Sequence, residues 1–246
     1  MRLSEKTAII TGGGSGIGRA IAAAFAREGA NVTIAGRDRA KLEDAAREIG
    51  PNCFAVTADV SKAADVEKLA KAVIDKFKHI DILVNNAGIL LPGTAESLTE
   101  EDFDQTFNVN VRGLWLLSRA VLPHMRAAGG GSIINIGSVL STLGARNRVA
   151  YSASKGAVLA MTRAMALDHA GEKIRVNCIC PGIVETEMVA RFSMDENARR
   201  QRLAWHPLGR FGEPQDIAGL AVFLAGEESA WTTGAAFTVD GGYSAQ

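Results

Sequence analysis

The chain has 246 residues, 47% of them hydrophobic and 22% charged, a composition that suits a globular fold with a sizeable core. Lys plus Arg and Asp plus Glu both total 27, so no net field recruits nucleic acid or an acidic membrane surface. No apolar run approaches the ~20 residues of a membrane span, and the opening MRLSEKTAIITGG lacks the apolar stretch of a secretory signal.

Strand signals fall at 7–11, 31–35, 53–59, 81–85, 132–136, 174–180 and 236–240. Most are continuous apolar runs rather than alternating ones, as parallel strands covered on both faces require. Amphipathic helical stretches lie between them at 16–28, 39–49, 62–78, 100–128, 151–171 and 214–225. Thr99 and Asp102 form a capping pair for the fourth, and Gly29 sits where a helix-ending glycine belongs. No linker, repeat or low-complexity tract divides the chain. The expectation is one α/β domain over residues 1–246: a doubly wound, Rossmann-type parallel sheet of seven strands with helices on both faces. Cys53, Cys178 and Cys180 are odd in number, and the last two alternate within an apolar run, so they read as buried strand thiols. A soluble protein of a reducing, cytoplasmic compartment is expected.

Ligands of such sheets bind beyond the carboxyl ends of the strands, so the residues that follow each strand matter most. After the first strand comes TGGGSGIGRA, with Gly12, Gly16 and Gly18 in a G-x-x-x-G-x-G spacing. A side-chain-free turn running into a helix N-terminus lets backbone amides approach a pyrophosphate, with Ser15 and Ile17 placed near phosphate and ribose. The second strand ends in AGRD. Gly36 stands where users of NAD place an acid for the ribose 2′-hydroxyl, and Arg37 follows, which favours the 2′-phosphate of NADP(H) over NAD. Arg37 and Asp38 also read as turn residues opening the next helix. The third strand runs into Asp59-Val60, where the carboxylate either accepts from an adenine amino group or serves as a loop acid ahead of a helix.

NNAG follows the fourth strand, with Asn86 suited to a tight turn and Ala87 and Gly88 leaving room for a flat ligand. Asn110 lies inside a helical stretch, where its amide is a poor helix former. Ser138 follows the fifth strand, and Pro181-Gly182 ends the sixth, with Ile183 and Thr186 just beyond. Tyr151 and Lys155, in YSASK, share a helix face at i, i+4. Alone, that pair reads as a solvated Lys beside a half-buried Tyr.

Taken together, TGGGSGIG, Asp59, NNAG, Asn110, Ser138, YSASK and PGIVET resemble the short-chain dehydrogenase/reductase family, from residue 6 to the DGG near the C-terminus. The resemblance implies hydride transfer between a nicotinamide cofactor and a ketone or secondary alcohol, with Tyr151 as general acid in reduction and base in oxidation. A free phenol, with pKa about 10, is a poor base at neutral pH, and a nearby ammonium favours the phenolate. By resemblance Lys155 also bonds the nicotinamide ribose, Ser138 bonds the substrate oxygen, and Asn110 holds a water in a proton relay. Asn86, Ala87 and Gly88 would border the adenine ribose, while Ile183 and Thr186 would hold the carboxamide.

Several further expectations rest on the family. The segment 184–212, with Met188, Phe192, Trp205 and His206, is expected to fold over the site as a lid, with His206 more a turn residue than a catalyst. The helices at 100–128 and 151–171 are expected to pair with their copies in a homotetramer. In some relatives the terminal carboxylate, here of Gln246, helps bind Mg²⁺; otherwise no metal is expected. Arg148, three residues before Tyr151, is a substrate residue if it faces the pocket and a surface residue if it does not; facing the pocket it suits a carboxylate. Alternatives are an NAD-using dehydrogenase of hydroxy or keto acids, an isomerase or epimerase on the same scaffold, and a nucleotide-sensing regulator without chemistry. Such a regulator would be expected to lack Tyr151 or Lys155.

Overall fold

A computed structural model of the protein describes residues 1–190 and 195–245. Phe192 and Gln246, singled out above, lie outside the described residues. Seven strands, β1 (Thr7–Thr11), β2 (Asn31–Gly36), β3 (Cys53–Thr57), β4 (Ile82–Asn85), β5 (Gly131–Ile136), β6 (Ile174–Pro181) and β7 (Ala236–Val239), form one parallel sheet in the order β3-β2-β1-β4-β5-β6-β7. Consecutive side chains of a strand point to opposite faces, so a continuous apolar run feeds two cores at once. Ile10, Val84 and Ile134 enter one core, and their chain neighbours Ile9, Leu83 and Ile133 enter the other.

Helices α1 (Gly16–Arg27) and α9 (Pro214–Ala225) cover the first face with Ile21, Phe25, Ile217 and Val222. On the other side α3 (Ala63–Phe77) and α5 (Gly113–Ala127) contribute Val66, Leu69, Leu117 and Val121. Each fully buried side chain of this size contributes on the order of 1.5–3 kcal/mol, which is what holds the layers to the sheet. Gly29, with φ +90°, ends α1 as its position predicts.

The strand and helix assignments hold, with shifted boundaries. The third strand stops at Thr57 rather than 59, because the Asp59 carboxylate turns to accept from the Ser61 amide and hydroxyl at 3.0 and 2.7 Å. Val60 is buried just beyond it, tight against the start of α5: a Cβ on Gly113 would lie 2.8 Å from its methyl group. The stretch 100–128 is not one α-helix. It is α4 (Glu100–Phe107), a π-helical turn (Asn108–Arg112) and α5. Thr99 caps α4, accepting from the Asp102 amide at 3.1 Å. The helix expected at 151–171, α6 (Val149–His169), starts two residues earlier than expected and stops before a short 3₁₀ turn.

From β1 the chain builds outward through β2 and β3, then returns to lay β4 on the other side of β1. The crevice between the carboxyl ends of β1 and β4 is the ligand position of such sheets. No helix among the described residues is long and apolar enough to cross a membrane.

Candidate active site

A cleft of about 700 Å³ opens there, running from the glycine loop to the N-terminal end of α6. Gly12 turns the chain at φ +64°, and a Cβ on it would meet the Asn86 amide nitrogen at 2.7 Å. Gly18 lets α1 close on that turn, since a Cβ there would lie 2.4 Å from the Gly12 carbonyl. Ser15 precedes α1 without capping it by its side chain, so no side-chain oxygen occupies the amides at that helix end. Ser15, Gly16 and Ile17 line the cleft. The arrangement fits a pyrophosphate: bare amides, the positive end of a 12-residue helix, and no side chain in the way.

The NNAG loop is held against β1 by a residue that sequence reasoning passed over. The Thr11 hydroxyl accepts from the amides of Asn86 and Ala87 at 3.0 and 2.9 Å, and the Asn86 side chain donates to the Thr11 carbonyl at 2.8 Å. Asn86, Ala87 and Gly88 thereby form cleft wall. Beneath them a buried network crosses the sheet: Asn85 donates to Ser118 (3.1 Å) and to Asn135 (2.9 Å), and Asn135 donates to Thr162 of α6 (2.9 Å). Asn85 opens NNAG but faces the core from the end of β4, and Asn135 sits inside β5 with no motif around it, so the only signal for this network was an amide where a core residue belongs.

Tyr151, Lys155 and Ser138 meet at the far end of the cleft, beside Pro181, Gly182, Ile183 and Thr186. Ser138 lies within hydrogen-bonding reach of the phenol, and its hydroxyl also accepts from the Leu140 amide at 3.1 Å. Lys155 is 5% exposed; its ammonium donates to the Ile136 carbonyl at 2.7 Å and stands 5.7 Å from the centre of the Tyr151 ring. Burial pushes its pKa down from 10.5 to about 8, partly opposed by the thiols of Cys178 and Cys180. Those two cysteines are buried strand residues, as expected, 3.7 Å apart.

Tyr151 departs from expectation in one respect. Its pKa is raised, because burial of the phenol outweighs the hydrogen bond from Ser138 and the charge of Arg148, both of which favour the phenolate. Arg148 is thus a second cation beside the phenol, in addition to Lys155. Asn110 stands in the π-helical turn and is buried rather than part of the cleft wall. Its side chain makes three hydrogen bonds: it accepts from the Ile89 amide (2.8 Å) and donates to the Ile89 carbonyl (2.9 Å) and to Ser154 (3.0 Å). It ties the loop after β4 to the catalytic helix.

Gly18, Arg37, Asp59 and Val60 also lie outside the cleft wall. Arg37 is exposed; burial pushes the Asp59 carboxyl up, but the Ser61 bonds, with a smaller contribution from the charge of Arg37, hold it below the usual range. The Asp38 carboxylate is used locally, capping α2 (Arg39–Ile49) by accepting from the Lys41 amide at 3.1 Å. Arg148 does face the cleft, half-buried. Among its described residues the segment 184–212 carries two short helices, α7 (Glu187–Ala190) and α8 (Glu196–Leu203), and its ends are laced by the Gly212 amide to the Ile183 carbonyl (2.9 Å) and the Glu185 amide to the Gly212 carbonyl (2.8 Å). Met188 and Trp205 line the cleft from this side. His206 is 3% exposed, stacks on Tyr243 at 5.5 Å and does not line the cleft, so it is a packing residue of a turn.

A family model described as Enoyl-(Acyl carrier protein) reductase matches residues 12–244. The chain is 37% identical over 245 residues to 3-oxoacyl-(acyl-carrier-protein) reductase FabG of Thermotoga maritima, covering 98% of this chain and 99% of that one. It is 41% identical over 249 residues to 2-(R)-hydroxypropyl-CoM dehydrogenase of Xanthobacter autotrophicus, with 98% and 99% covered. Among solved structures, 3-ketoacyl-(acyl-carrier-protein) reductase from Brucella melitensis complexed with NADH matches with a TM-score of 0.93 at 40% identity, over 98% of this chain and 99% of that one. The chain belongs to the short-chain dehydrogenase/reductase family, and it is an NAD(P)-dependent oxidoreductase of the ketone/secondary alcohol couple.

Proposed function

We propose that the protein is an NADP(H)-preferring ketone reductase and alcohol dehydrogenase in which Tyr151 is the general acid and base. The observation that carries this reading is the meeting of Tyr151, Ser138 and Lys155 at the far end of a cleft that begins at the glycine loop. The cofactor, when bound, donates or accepts the hydride. Gly12, Ser15, Gly16, Ile17 and Gly18 would form the seat of its pyrophosphate. Asn86, Ala87 and Gly88 would flank the adenine ribose, and Pro181, Gly182, Ile183 and Thr186 the nicotinamide, with Asp59 and Val60 near the adenine.

Reduction needs one proton for the substrate oxygen, and Tyr151 delivers it from a phenol that burial keeps protonated at neutral pH. Ser138 shares that oxygen and fixes its position. Oxidation runs the same transfer backwards, so it needs the phenolate, which the charges of Arg148 and of a protonated Lys155 favour. Lys155 would also hold the nicotinamide ribose. Asn110 keeps the loop after β4 and the catalytic helix in register, and its polar surroundings suit a water relay.

Support for the 2′-phosphate comes from Gly36 at the strand end, the exposed guanidinium of Arg37, and the engagement of Asp38 as a helix cap. Wild type should show a lower KM for NADPH than for NADH, and Arg37→Asp should erase or reverse the order. Equal kinetics with both would move the assignment to Asp38 and NAD, the second reading, which the NADH bound to the Brucella melitensis relative favours. The same proposal takes residues 1–246 as one working unit, with 184–212 as the substrate lid, in a cytoplasmic homotetramer. Trp115 on α5 and Leu167 on α6, 44% and 82% exposed, support pairing of those two helices with their copies.

A further inference from the structure

Cys178 and Cys180 are two residues apart on β6, so both side chains leave the same face of the sheet, and their sulfurs stand 3.7 Å from one another. Neither takes part in the hydride or proton transfer proposed above. They nevertheless pack directly against the reacting groups. A Cβ on Gly137 would come 2.7 Å from the Cys178 sulfur, 3.1 Å from that of Cys180 and 3.1 Å from the Ser141 hydroxyl. Gly137 is also bonded to the strand between the two cysteines, its amide donating to the Ile179 carbonyl at 2.7 Å. Ile136, just before Gly137, accepts from Lys155, and Ser138 follows it. The thiol pair thus abuts the residue that joins the Lys155 acceptor to the serine of the site. The two thiols are unequal. Cys180 falls from 9.0 to about 7, because the Cys178 thiol donates to its sulfur, helped by the Ser141 hydroxyl, the Ser138 amide and the charge of Lys155, against burial. The same bond pushes Cys178 up, and burial adds to it. One thiolate therefore stands beside one thiol near neutral pH, the pairing of an attacking sulfur with a resolving one. Cys53 is more exposed, yet burial raises its pKa to about 11 and keeps it protonated.

We infer that Cys178 and Cys180 form a redox-active dithiol, which a peroxide converts to a reversible disulfide that disables the neighbouring site; the loss of activity rests on the oxidoreductase reading above. Cys180 is 4% exposed, which admits a reagent little larger than water. Its thiolate attacks one peroxide oxygen, the O–O bond breaks, and the other oxygen leaves as hydroxide, so that Cys180 becomes a sulfenic acid. The Cys178 sulfur then attacks the sulfenic sulfur, the S–S bond forms, and the thiol proton leaves with the sulfenic hydroxyl as water. Two electrons pass from sulfur to the peroxide, which ends as one water and one hydroxide. A disulfide within one strand is strained. Cα atoms two residues apart on a strand are about 6.6 Å from one another, close to the roughly 6.8 Å limit of the bond. The sulfurs must also close from 3.7 Å to about 2 Å. Strain makes such a bond easily reduced, as a switch requires. Drawing the sulfurs together bends β6 at Ile179 and pulls the bonded Gly137 with it. Ser138 and the Ile136 carbonyl that holds Lys155 shift in turn.

Reduced full-length protein is treated with hydrogen peroxide and then unfolded in a thiol-alkylating reagent. Both cysteines fall in one tryptic peptide, residues 176–191, so the disulfide is read by mass as the loss of two hydrogens with neither sulfur alkylated. That peptide should convert while Cys53 remains alkylated. Ketone reduction with NADPH should fall by roughly tenfold or more in step with it, since a displacement of about 1 Å at a reacting centre can cost about a hundredfold. Dithiothreitol should restore the activity. Cys178→Ala should halt at the sulfenic acid of Cys180, trapped by a 1,3-diketone, and Cys180→Ala should lose none of its own activity in peroxide. Two alkylated sulfurs in the wild-type peptide after peroxide, a disulfide formed with activity intact, or an activity loss that persists in Cys180→Ala overturns the switch. If the untreated protein turns over no ketone, the oxidoreductase reading fails, and the mass of the peptide still decides the thiol pair.

Discussion

Tyr151 and Lys155 show how two residues one turn apart acquire opposite problems from the same burial. The phenol resists losing its proton and the ammonium resists keeping it. Replacing Tyr151 with Phe removes only the transferable proton, so turnover should fall by about 10²–10⁴-fold while cofactor affinity stays as in wild type. A variant retaining a tenth of the wild-type rate would remove Tyr151 from the acid–base role. Lys155 leads to a prediction about stability. Its pKa of about 8 in the folded protein lies below the 10.5 of the unfolded chain, so between those values the unfolded state holds more protons and stability rises with pH. Below pH 8 the buried charge costs on the order of 3 kcal/mol as an upper figure. The melting temperature of the cofactor-free protein, taken relative to Lys155→Met, should therefore climb from pH 8 to pH 10. A flat difference would mean that the ammonium is solvated in place.

At the scale of elements, the loops owe their positions to hydrogen bonds that no motif announces. Thr11 ends β1 and holds the loop after β4 by two amides. Thr11→Val keeps the shape, leaves the Ala87 amide without its acceptor and leaves the Asn86 amide only the Val84 carbonyl, which should cost about 1–3 kcal/mol in urea unfolding and weaken cofactor binding. An unchanged unfolding midpoint would show that water takes over the Ala87 donor. The strands were legible because each is an apolar run with a loop of Gly, Asn or Ser after it, and the cleft residues follow from those loops. What was hidden falls into two kinds. The π-helical turn at Asn110 arises from the packing of its amide against Ile89 and Ser154, partners distant in sequence. The Asn85–Asn135–Thr162 network likewise pairs residues whose contact exists only after β4, β5 and α6 are assembled. Asp59 was misplaced within its strand because a β-rich run gives no sign of a local turn that its own carboxylate stabilises.

For the molecule as a whole, the order of the sheet explains why function gathers at one edge. Reversal between β1 and β4 opens the crevice, the glycine loop and NNAG form its sides, and β5, β6 and α6 deliver the reacting groups farther along. Met188 and Trp205, from the segment after β6 proposed as a lid, line its remaining side. The exposed Trp115, Leu167 and Trp231, the last fully open to solvent, are large apolar surfaces for a lone chain. Light scattering at micromolar concentration should give the mass of four chains, and a mass of one chain would contradict the proposed assembly. The pH dependence of the two directions should also diverge. Alcohol oxidation should speed up as pH rises above neutral, because it needs the phenolate, and ketone reduction should slow. Parallel profiles for the two directions would place the proton on another group.

The central claim is that a hydride passes between cofactor and substrate carbon while Tyr151 handles the proton. It is tested most directly by reducing a ketone with NADPH carrying deuterium at the nicotinamide C4, in ordinary water, and repeating with unlabelled cofactor in D₂O. The account predicts deuterium on the carbinol carbon in the first experiment, none on that carbon in the second, and one cofactor oxidised per alcohol formed. Deuterium on the product carbon from solvent, or substrate conversion without net oxidation of the cofactor, would contradict it.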